Sequence, residues 1–358
     1  MQSRTGIVLV NWNGWRDTIE CLESVFQLEN FDGPVVVCDN ASSDNSLEIL
    51  KAWAEGLICA IPESTDACIR DLVKRQGERV SFSFEILKRG RDSDFISTQN
   101  EIKSSKNSTA KRLYLIDIGE NLGFAGGNNV GLQLLKSFPE IDFFWLLNND
   151  TVVARDTLSV IENSHQISYE PIIFGTTLLE YHEPELIQAC GASFSRLTFF
   201  VRHLYEGKSV EIINSMPEIV QADYPVGASL FVNRAFIDQV GLMSEDYFLY
   251  HEEIDWVLRH RWPSRAYIVP RAFVYHKCGA SVGNDKNKPK SLTADYYTLR
   301  GRIILSRKIG YFYYTNSVLF SLYSLSKRLL KINDLPSILN AFCGIKDAYT
   351  KKRGKRVG

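Results

Sequence analysis

The sequence predicts an α/β fold in which helices flank a single, mostly parallel, doubly wound sheet. Runs of branched apolar residues, beginning with Gly6 to Val10 and Pro34 to Cys38, alternate with stretches of helical periodicity. Several of the apolar runs end abruptly in Asn and Asp residues. This is typical of strands that deliver polar side chains to the ligand-binding edge of such a sheet.

The first half of the chain supplies a βαβ unit and an insertion. An amphipathic helix from about Asp17 to Leu28 separates the first two strands, and a second helix begins after Asp44, whose side chain can cap it. Residues 58–111 then mix short apolar patches with a polar tract, so we interpret them as an inserted hairpin or helix with a mobile tip. The insertion could carry specificity, and it could equally be a tolerated surface feature.

A glycine-rich segment, Asn121 to Leu132, follows the strand Arg112 to Asp117 and predicts a strand-to-helix turn where the backbone can approach a ligand. Its glycine spacing differs from the dinucleotide fingerprint, so a nucleotide is favoured over a nicotinamide cofactor. The alternative is a helix start with small residues for close packing. Later elements are predicted at Trp145 to Leu147, Thr157 to Ser164, Ile172 to Leu179, Tyr224 to Val232, Arg234 to Val240 and Ala272 to Tyr275.

The composition excludes some classes of function. The 358 residues are 45% hydrophobic and 23% charged with a net charge of -1, which gives no electrostatic reason to expect nucleic acid. The seven cysteines are scattered and never spaced as Cys-x-x-Cys, so we expect a reducing compartment and no structural zinc. The sequence begins with a strand-like run and no secretory signal, so we expect a cytoplasmic protein.

The C-terminal region differs from the rest of the chain. Ile309 to Leu325 is apolar and aromatic but short for a membrane span, and Lys351 to Arg356 is strongly basic. We therefore expect a catalytic domain at 1–285 and a helical extension at 286–358 that makes peripheral contact with an anionic membrane. The alternative is a packed terminal helix with a solvated tail.

Polar residues end the apolar run that starts at Trp145. Asn148, Asn149 and Asp150 lie where a buried strand should deliver them to the ligand crevice, so they are candidates to hold a metal and the polar part of a phosphate-bearing substrate. A plain Asn-Asn-Asp turn is the alternative. His276, just past the last predicted strand, could complete a coordination shell begun by Asp150, or be an ordinary hydrogen-bonded histidine.

Three carboxylates crowd a second site at Glu252, Glu253 and Asp255. On a helix, Glu252 and Asp255 share a face at i and i+3, which leaves Glu253 turned elsewhere and free to act as a base. The alternative is an acidic first helical turn stabilised by the helix dipole, with Arg259 as the ion-pair partner of Asp255.

Seven segments, taken in order, resemble the motifs of family 2 inverting glycosyltransferases with the GT-A fold, and most nearly the bacterial rhamnosyltransferase-like branch that builds surface polysaccharides. The segments are VLVNWNG, VVVCDNASSDNS, ENLGFAGGNNVGL, WLLNNDT, PVGASLFV, YFLYHEEIDWVLRHR and VYHKCGAS. The resemblance runs from Ile7 to Ser281 without the insertion. It continues weakly to Arg300, in a Tyr-Tyr-x-x-Arg context.

The resemblance implies roles for the nucleotide-binding side of the site. Asn11 and Trp12 match positions that line the nucleobase pocket, and Asp39 matches an aspartate that hydrogen-bonds the base. Asn121 and Asn128 match positions on the loop and helix beside the nucleotide.

The resemblance also implies roles at the reacting end. Asn148, Asn149 and Asp150 match the Asp-x-Asp position, where Asn148 replaces the first aspartate and should weaken the hold on a divalent cation, Mg²⁺ or Mn²⁺. His276 matches a further metal or diphosphate ligand. The catalytic candidates are Glu253 and Asp255, and Glu253 matches the general base.

The expected function is transfer of one sugar from a nucleotide-diphospho-sugar, with dTDP-L-rhamnose as a candidate donor, to a saccharide or lipid-linked acceptor. The Gln-x-x-Arg-Trp signature of processive relatives is absent after the acidic site, which favours single-sugar addition. A nucleotidyltransferase of similar fold and an inactive sugar-nucleotide or glycan-binding module are the alternatives. The sequence leaves the oligomeric state open.

Overall fold

A computed structural model describes residues 4–74, 82–90, 94–99, 111–164, 170, 172–260, 266–277, 291–329, 335–350 and 354–356. The first half contains β1 (Thr5–Asn11), α1 (Trp15–Val25), β2 (Pro34–Asp39), α2 (Ser46–Ala54), α3 (Ala67–Val73), β3 (Phe82–Arg89), β4 (Phe95–Gln99), β5 (Lys111–Asp117), α4 (Gly123–Lys136), β6 (Phe143–Asn148), β7 (Thr151–Val153) and α5 (Thr157–Glu162).

The second half contains β8 (Ile173–Glu180), β9 (Ile187–Ala189), β10 (Ala192–Phe194), β11 (Val201–His203), a 3₁₀ helix (Val210–Ser215), β12 (Val220–Ala222), β13 (Ser229–Asn233), α6 (Arg234–Val240), α7 (Glu252–Arg259), β14 (Ala266–His276), α8 (Leu292–Ile309), α9 (Tyr311–Leu329) and α10 (Leu335–Tyr349).

One large sheet has the strand order β12-β14-β8-β13-β6-β1-β2-β5-β3-β4, with β7 paired to β14 and β9 paired to β8. The run β6-β1-β2-β5-β3 is parallel throughout. The antiparallel strand β13 joins it to a second parallel pair, β8 and β14. The prediction of a mostly parallel sheet flanked by helices is therefore confirmed.

The central strand β1 is buried on both faces. Ile7 and Leu9 belong to the core cluster that includes Leu22 of α1, whereas Val8 belongs to the cluster that includes Leu132 of α4. A strand covered by helices on both sides reads as a continuous apolar run, which is why its sequence lacks alternation.

The glycines of α4 serve close packing against β1. A Cβ on Gly127 would lie 2.8 Å from a methyl of Val10, and one on Gly131 would lie 2.4 Å from a methyl of Val8. These two glycines are one helical turn apart and face the strand. The close-packing alternative therefore describes these two glycines, while the approach of the turn's backbone to a ligand stays a prediction.

The insertion extends the main sheet. Strand β3 pairs in parallel with β5, and β4 pairs antiparallel with β3 at the outer edge. Helix α3 begins at Ala67, where the Asp66 carboxylate accepts hydrogen bonds from the amides of Cys68 and Ile69. The expected mobile tip falls largely on residues 100–110, which lie outside the described part of the chain.

Helices α8, α9 and α10 pack against one another in the part of the chain predicted to be a helical extension. The Arg328 guanidinium of α9 pairs with Asp295 of α8 at 2.6 Å, and the Asn340 amide of α10 donates to Leu292 O of α8 at 2.7 Å. In the part of the chain that the structure describes, no helix is both long enough and apolar enough to cross a bilayer.

Candidate active site

The carboxyl ends of three parallel strands bring the predicted residues to one edge of the sheet. In the ladder, Asn11 of β1 lies opposite Asp39 of β2, and Val10 lies opposite Asn148 of β6. This is the edge at which ligands bind in open α/β sheets.

A directed chain of hydrogen bonds connects the strand ends. The Asn149 amide donates to Thr18 Oγ1 at 3.0 Å, and Thr18 Oγ1 donates to Asn11 Oδ1 at 2.8 Å. Asn11 Nδ2 in turn donates to Asp39 Oδ1 at 2.7 Å. Because Asn11 is fully buried, it positions Asp39 and does not itself line a pocket. Thr18 was missed by sequence reasoning, although its place in the first turn of α1 put it beside β1.

Asp39 and Trp12 are the groups on this side that can face a base. Ser42 donates to both carboxylate oxygens of Asp39, through Oγ at 2.6 Å and through its backbone N–H at 3.0 Å. A carboxylate has about four acceptor sites, so capacity remains for a ligand N–H. The Trp12 ring is 38% exposed. The ammonium of Lys355 lies 5.7 Å from its centroid.

The loop before α4 is held by Asn40, another residue that sequence reasoning missed. Asn40 Nδ2 donates to Asn121 Oδ1 at 3.1 Å, and Asn40 Oδ1 accepts from the Leu122 N–H at 2.9 Å. Asn128 donates to Phe124 O of its own helix at 3.0 Å and is buried. Asn121 therefore lies at the strand edge, whereas Asn128 stabilises α4.

The short ladder between β7 and β14 places His276 beside Asp150. Thr151 pairs with His276, and His276 Nε2 lies 3.3 Å from Asp150 Oδ1. His276 Nδ1 lies 2.6 Å from Gln188 Oε1, while the Gln188 amide nitrogen donates to Glu180 at 3.1 Å. Because the amide nitrogen is used in this way, Gln188 presents an acceptor, and the ring proton belongs on Nδ1. Nε2 is then directed at Asp150.

These two groups fit a divalent cation. Oxygen and nitrogen ligands lie about 2.0 to 2.2 Å from Mg²⁺, Mn²⁺ or Zn²⁺, so two ligands at a right angle are about 3 Å apart. Burial disfavours the charge on Asp150, but a His276 ring that is also protonated on Nε2 supplies a positive charge and a hydrogen bond that outweigh burial and hold the pKa of the Asp150 carboxyl below its usual value. A bound cation would take the place of that Nε2 proton. Asp150 and His276 would hold the ion, with other positions left for diphosphate oxygens and water.

Lys277 fixes the segment that follows His276. Its ammonium lies 2.6 Å from Asp17, 2.6 Å from Glu20 and 2.8 Å from Glu63. These three carboxylates are grouped closely enough to suit a cation, and the lysine occupies that place. The cluster is therefore an anchor for the end of β14.

Helix α7 separates its three carboxylates as the helical spacing predicts. Glu252 and Asp255 are buried on one face, whereas Glu253 is partly exposed. Burial, followed by the charge of Glu253, raises the pKa of Glu252 well above its usual value. Burial also raises the pKa of Glu253 to about 7. Glu253 can therefore accept a proton near neutral pH.

Asp255 is a structural residue. Its Oδ1 accepts from Tyr247 OH at 3.1 Å and lies 3.2 Å from Lys308 Nζ. Its Oδ2 accepts from Arg259 Nε at 3.0 Å. With both oxygens engaged, Asp255 anchors α7 and is not placed to act as a base, so grouping it with Glu253 as catalytic does not agree with this geometry.

Gly227 and Ala228 connect Glu253 to the end of β6. A Cβ on Gly227 would lie 2.1 Å from Glu253 Oε1, so the carboxylate rests on the glycine backbone. The next residue, Ala228, accepts a hydrogen bond from the Asn148 N–H at 3.0 Å. Two adjacent residues therefore contact the acidic site and the Asn148 to Asp150 turn.

The loop before α7 has unusual backbone geometry. Phe248, Tyr250 and His251 have positive φ angles of 75°, 67° and 74°. Residues in this region cost energy and cluster at functional sites. The loop packs on the start of α4, where Phe124 N–H donates to Phe248 O at 2.8 Å and a Cβ on Gly123 would lie 2.3 Å from the same oxygen.

Arg300 of α8 holds this loop from the other side. Its guanidinium is fully buried and donates to the carbonyl oxygens of Asp246, Tyr247 and Gly354. The arginine in the weakly similar Tyr-Tyr-x-x-Arg segment is thus part of the support for the acidic site. Its signal lay beyond the strong motifs, and its contacts could be found only in the folded chain.

The chain matches no protein-family model. In sequence it is similar to the low-salt glycan biosynthesis hexosyltransferase Agl10 of Haloferax volcanii, at 22% identity over 153 residues, which are 42% of this chain and 46% of that protein. The match thus spans about half the length of that relative.

Among solved structures, the chain is similar to the mannosyltransferase PcManGT from Pyrobaculum calidifontis, in complex with GDP-Man and Mn²⁺. The TM-score is 0.50 at 10% identity, covering 99% of this chain and 89% of that one. S. aureus TarS 1-349 in complex with UDP-GlcNAc gives a TM-score of 0.44 at 13% identity, covering 97% and 81%. The chain therefore has the α/β fold of GT-A glycosyltransferases, as the mannosyltransferase shows, and is similar in sequence to a hexosyltransferase.

Proposed function

We propose that this protein is a non-processive inverting glycosyltransferase that moves one sugar from a nucleotide-diphospho-sugar to a saccharide or lipid-linked acceptor. The observation that carries the proposal is that two adjacent loop residues, Gly227 and Ala228, contact both the acidic site and the Asn148 to Asp150 turn. Gly227 supports the carboxylate of Glu253, and Ala228 binds the strand end that leads to Asp150.

The proposed reaction uses Glu253 as the general base. The acceptor hydroxyl oxygen attacks the anomeric carbon in line, its proton passes to Glu253, and the bond from that carbon to the diphosphate oxygen breaks. The new glycosidic bond has the opposite configuration, and the nucleoside diphosphate leaves. A base with a pKa near 7 suits this role at neutral pH, where such catalysis is worth about 10² to 10⁴ in rate.

The charge on the leaving diphosphate needs compensation. Asp150 and His276 would hold a divalent cation, Mg²⁺ or Mn²⁺, and the chemistry that such an ion supplies is neutralisation of this charge. The solved mannosyltransferase of similar fold contains Mn²⁺ with its GDP-Man donor, which supports the same arrangement here.

We propose first the class of donor and then the sugar that it carries. A nucleotide-sugar is supported by Asp39 and Trp12 at the strand ends and by the hexosyltransferase and mannosyltransferase relatives. For the sugar itself, dTDP-L-rhamnose is the candidate from the sequence motifs, and GDP-mannose is the candidate from the structural relative. We place the reaction in cell-surface glycan or polysaccharide synthesis at the cytosolic face of a membrane.

A nucleotidyltransferase and an inactive binding module are the competing functions. A nucleotidyltransferase would need the cation carboxylate but no base in the position of Glu253. Asn148, which replaces an acidic residue of the motif, favours the inactive module.

Thermal-shift measurements against a panel of nucleotide-sugars with Mg²⁺ or Mn²⁺ test the proposal, since a specific ligand stabilises the folded state by mass action. The donor that binds should then support transfer to acceptor, and Glu253→Gln should lower turnover by about 10² or more with donor affinity retained. Binding without any transfer by the native protein would identify a module. Transfer that survives Glu253→Gln would reject the base assignment.

A further inference from the structure

Helix α9 packs on the protein with its polar residues and turns its apolar face outward. The residues buried in the protein are Ser317 and Ser321, four positions apart. The outward face carries large apolar side chains that are 43 to 65% exposed, namely Leu319, Phe320, Leu322 and Tyr323. A surface helix of a protein in water has the reverse arrangement.

Helix α10 shows the same inversion. Its buried residues are small or polar, namely Asn340, Ala341, Gly344 and Ala348. Its outward residues are 45 to 62% exposed, namely Leu335, Leu339, Phe342 and Tyr349. A Cβ on Gly344 would lie 3.1 Å from the backbone oxygen of Tyr296, so this helix approaches α8 closely through its small residues.

Helices that meet through small residues and expose apolar ones are typical of proteins whose surroundings are lipid. In water, an apolar patch of this kind marks an interaction surface. Amphipathic helices that bind lipid lie along the membrane surface with their apolar face in the headgroup region.

The charge of this region identifies the kind of partner. Residues 311–358 contain nine Lys and Arg against two Asp and Glu, although the whole chain has a net charge of -1. Arg328 is paired with Asp295 and Lys355 lies over Trp12, whereas Lys327 of α9 and Lys346 of α10 are exposed. No carboxylate occurs between Tyr311 and Leu329. The carboxylate of Asp347 on α10 is directed at α8, where it accepts a hydrogen bond from Tyr296 OH at 2.5 Å. The ammonium of Lys327 lies 4.8 Å from the centroid of the Tyr323 ring, so basic groups adjoin the apolar face.

We propose that the outward faces of α9 and α10 form a lipid-binding surface that inserts into the headgroup region of an anionic membrane. Each basic residue near such a surface adds to the attraction, and the aromatic rings lie at the boundary between headgroups and acyl chains. A second copy of the chain is disfavoured as the occupant because the exposed ammonium groups of Lys327 and Lys346 would meet those of the other copy and repel them.

Docking in this way would hold the active site at the membrane. Helix α8, which packs on α9 and α10, also carries Arg300, whose guanidinium holds the loop before Glu253. A lipid-linked acceptor would reach the site from the bilayer. This last consequence rests on the proposed function, whereas lipid binding itself does not.

Vesicle co-sedimentation of the full chain tests the surface without donor or acceptor. We expect binding to vesicles of phosphatidylglycerol and phosphatidylcholine, weaker binding at high salt, and little binding to phosphatidylcholine alone. The triple variant Leu319→Asn, Leu322→Asn, Leu339→Asn should lower partitioning at least tenfold with an unchanged melting temperature. The matched control is Leu57→Asn, Ile61→Asn, Ile96→Asn, which replaces exposed apolar residues elsewhere and should bind like the native chain.

Equal pelleting of the triple variant and the native chain would overturn the proposal. A second pattern of results would also overturn it. In that pattern the native chain does not bind vesicles, forms a dimer without lipid in analytical ultracentrifugation, and loses that dimer in the triple variant. If no nucleotide-sugar binds in the thermal-shift panel, the proposed function fails but the vesicle result still stands. The two proposals can therefore be tested independently.

Discussion

Gly227 lies against the carboxylate of Glu253 so closely that a Cβ on the glycine would be 2.1 Å from Oε1. Gly227→Ala should therefore displace the Glu253 side chain, and turnover should fall at least tenfold with donor affinity nearly unchanged. The measurement is kcat together with the donor Kd. Gly207→Ala is the control: its Cβ would meet open space, and although its φ of 72° makes alanine strained and should lower the melting temperature, kcat should not change. Native kcat in Gly227→Ala would show that the contact is unimportant.

The acidic limb of the pH profile should report Glu253. Because burial raises the pKa of Glu253 to about 7, the rate should rise with pH and level off above about 7. Glu253→Gln should abolish this limb along with most of the activity. A rate that levels off near pH 4.5, the range of an unperturbed carboxyl, would contradict the assignment.

The raised pKa of Glu253 also predicts that folding stability falls with rising pH, whereas the reaction rate rises. An unfolded glutamate releases its proton near pH 4.3, whereas the folded one holds it to about pH 7, so folding stability is lost as pH rises between these values. Glu253→Gln removes that loss, so its melting temperature should exceed that of the native protein at pH 8 and match it at pH 4. A lower melting temperature at pH 8 would mean that the carboxylate is stabilising.

Asp150→Ala should weaken the binding of Mn²⁺ and of nucleoside diphosphate together, because one carboxylate would serve both. Isothermal titration of each ligand measures this, with Asp238→Ala as a control at a surface ion pair to Lys136. Retention of both affinities would remove Asp150 from the cation site.

Gln188→Leu should lower Mn²⁺ affinity by about 10- to 100-fold, the usual effect of losing a group that orients a metal-binding histidine. The acceptor for His276 Nδ1 would be lost, and the ring could turn from Asp150. The exchange Gln188→Glu with Glu180→Gln restores an acceptor and a donor, so it should recover part of the affinity. If Gln188→Leu binds Mn²⁺ like the native protein, Gln188 has no orienting role.

Much of the fold could be read from the sequence. Apolar runs located β1, β2, β6 and β14, and α6 begins and ends where predicted, at Arg234 and Val240. The local reason is that strands buried on both faces are uniformly apolar and that helix starts and turns have distinctive residues. Strands β3 and β4 were less clear because they follow an irregular segment.

The candidate site was predicted as residue types but not as contacts. Asn11, Asn128 and Asn149 have the composition of ligand-binding residues, yet their amides bind Asp39, Phe124 and Thr18 within the protein. An asparagine at a strand end has the same sequence signal whether its amide faces a ligand or a neighbouring side chain. Gln188 and Asn40 gave no signal because their partners are far away in the chain or belong to another strand.

The sequence by itself determined that acidic and amide groups end the parallel strands and that Glu253 points away from Glu252 and Asp255. These properties follow from strand and helix periodicity, which are local. Only the tertiary structure decided that His276 meets Asp150, that Gly227 supports Glu253, and that α9 exposes its apolar face. Those contacts depend on pairing and packing between elements that are distant in the chain, and no local pattern specifies which of the faces meet.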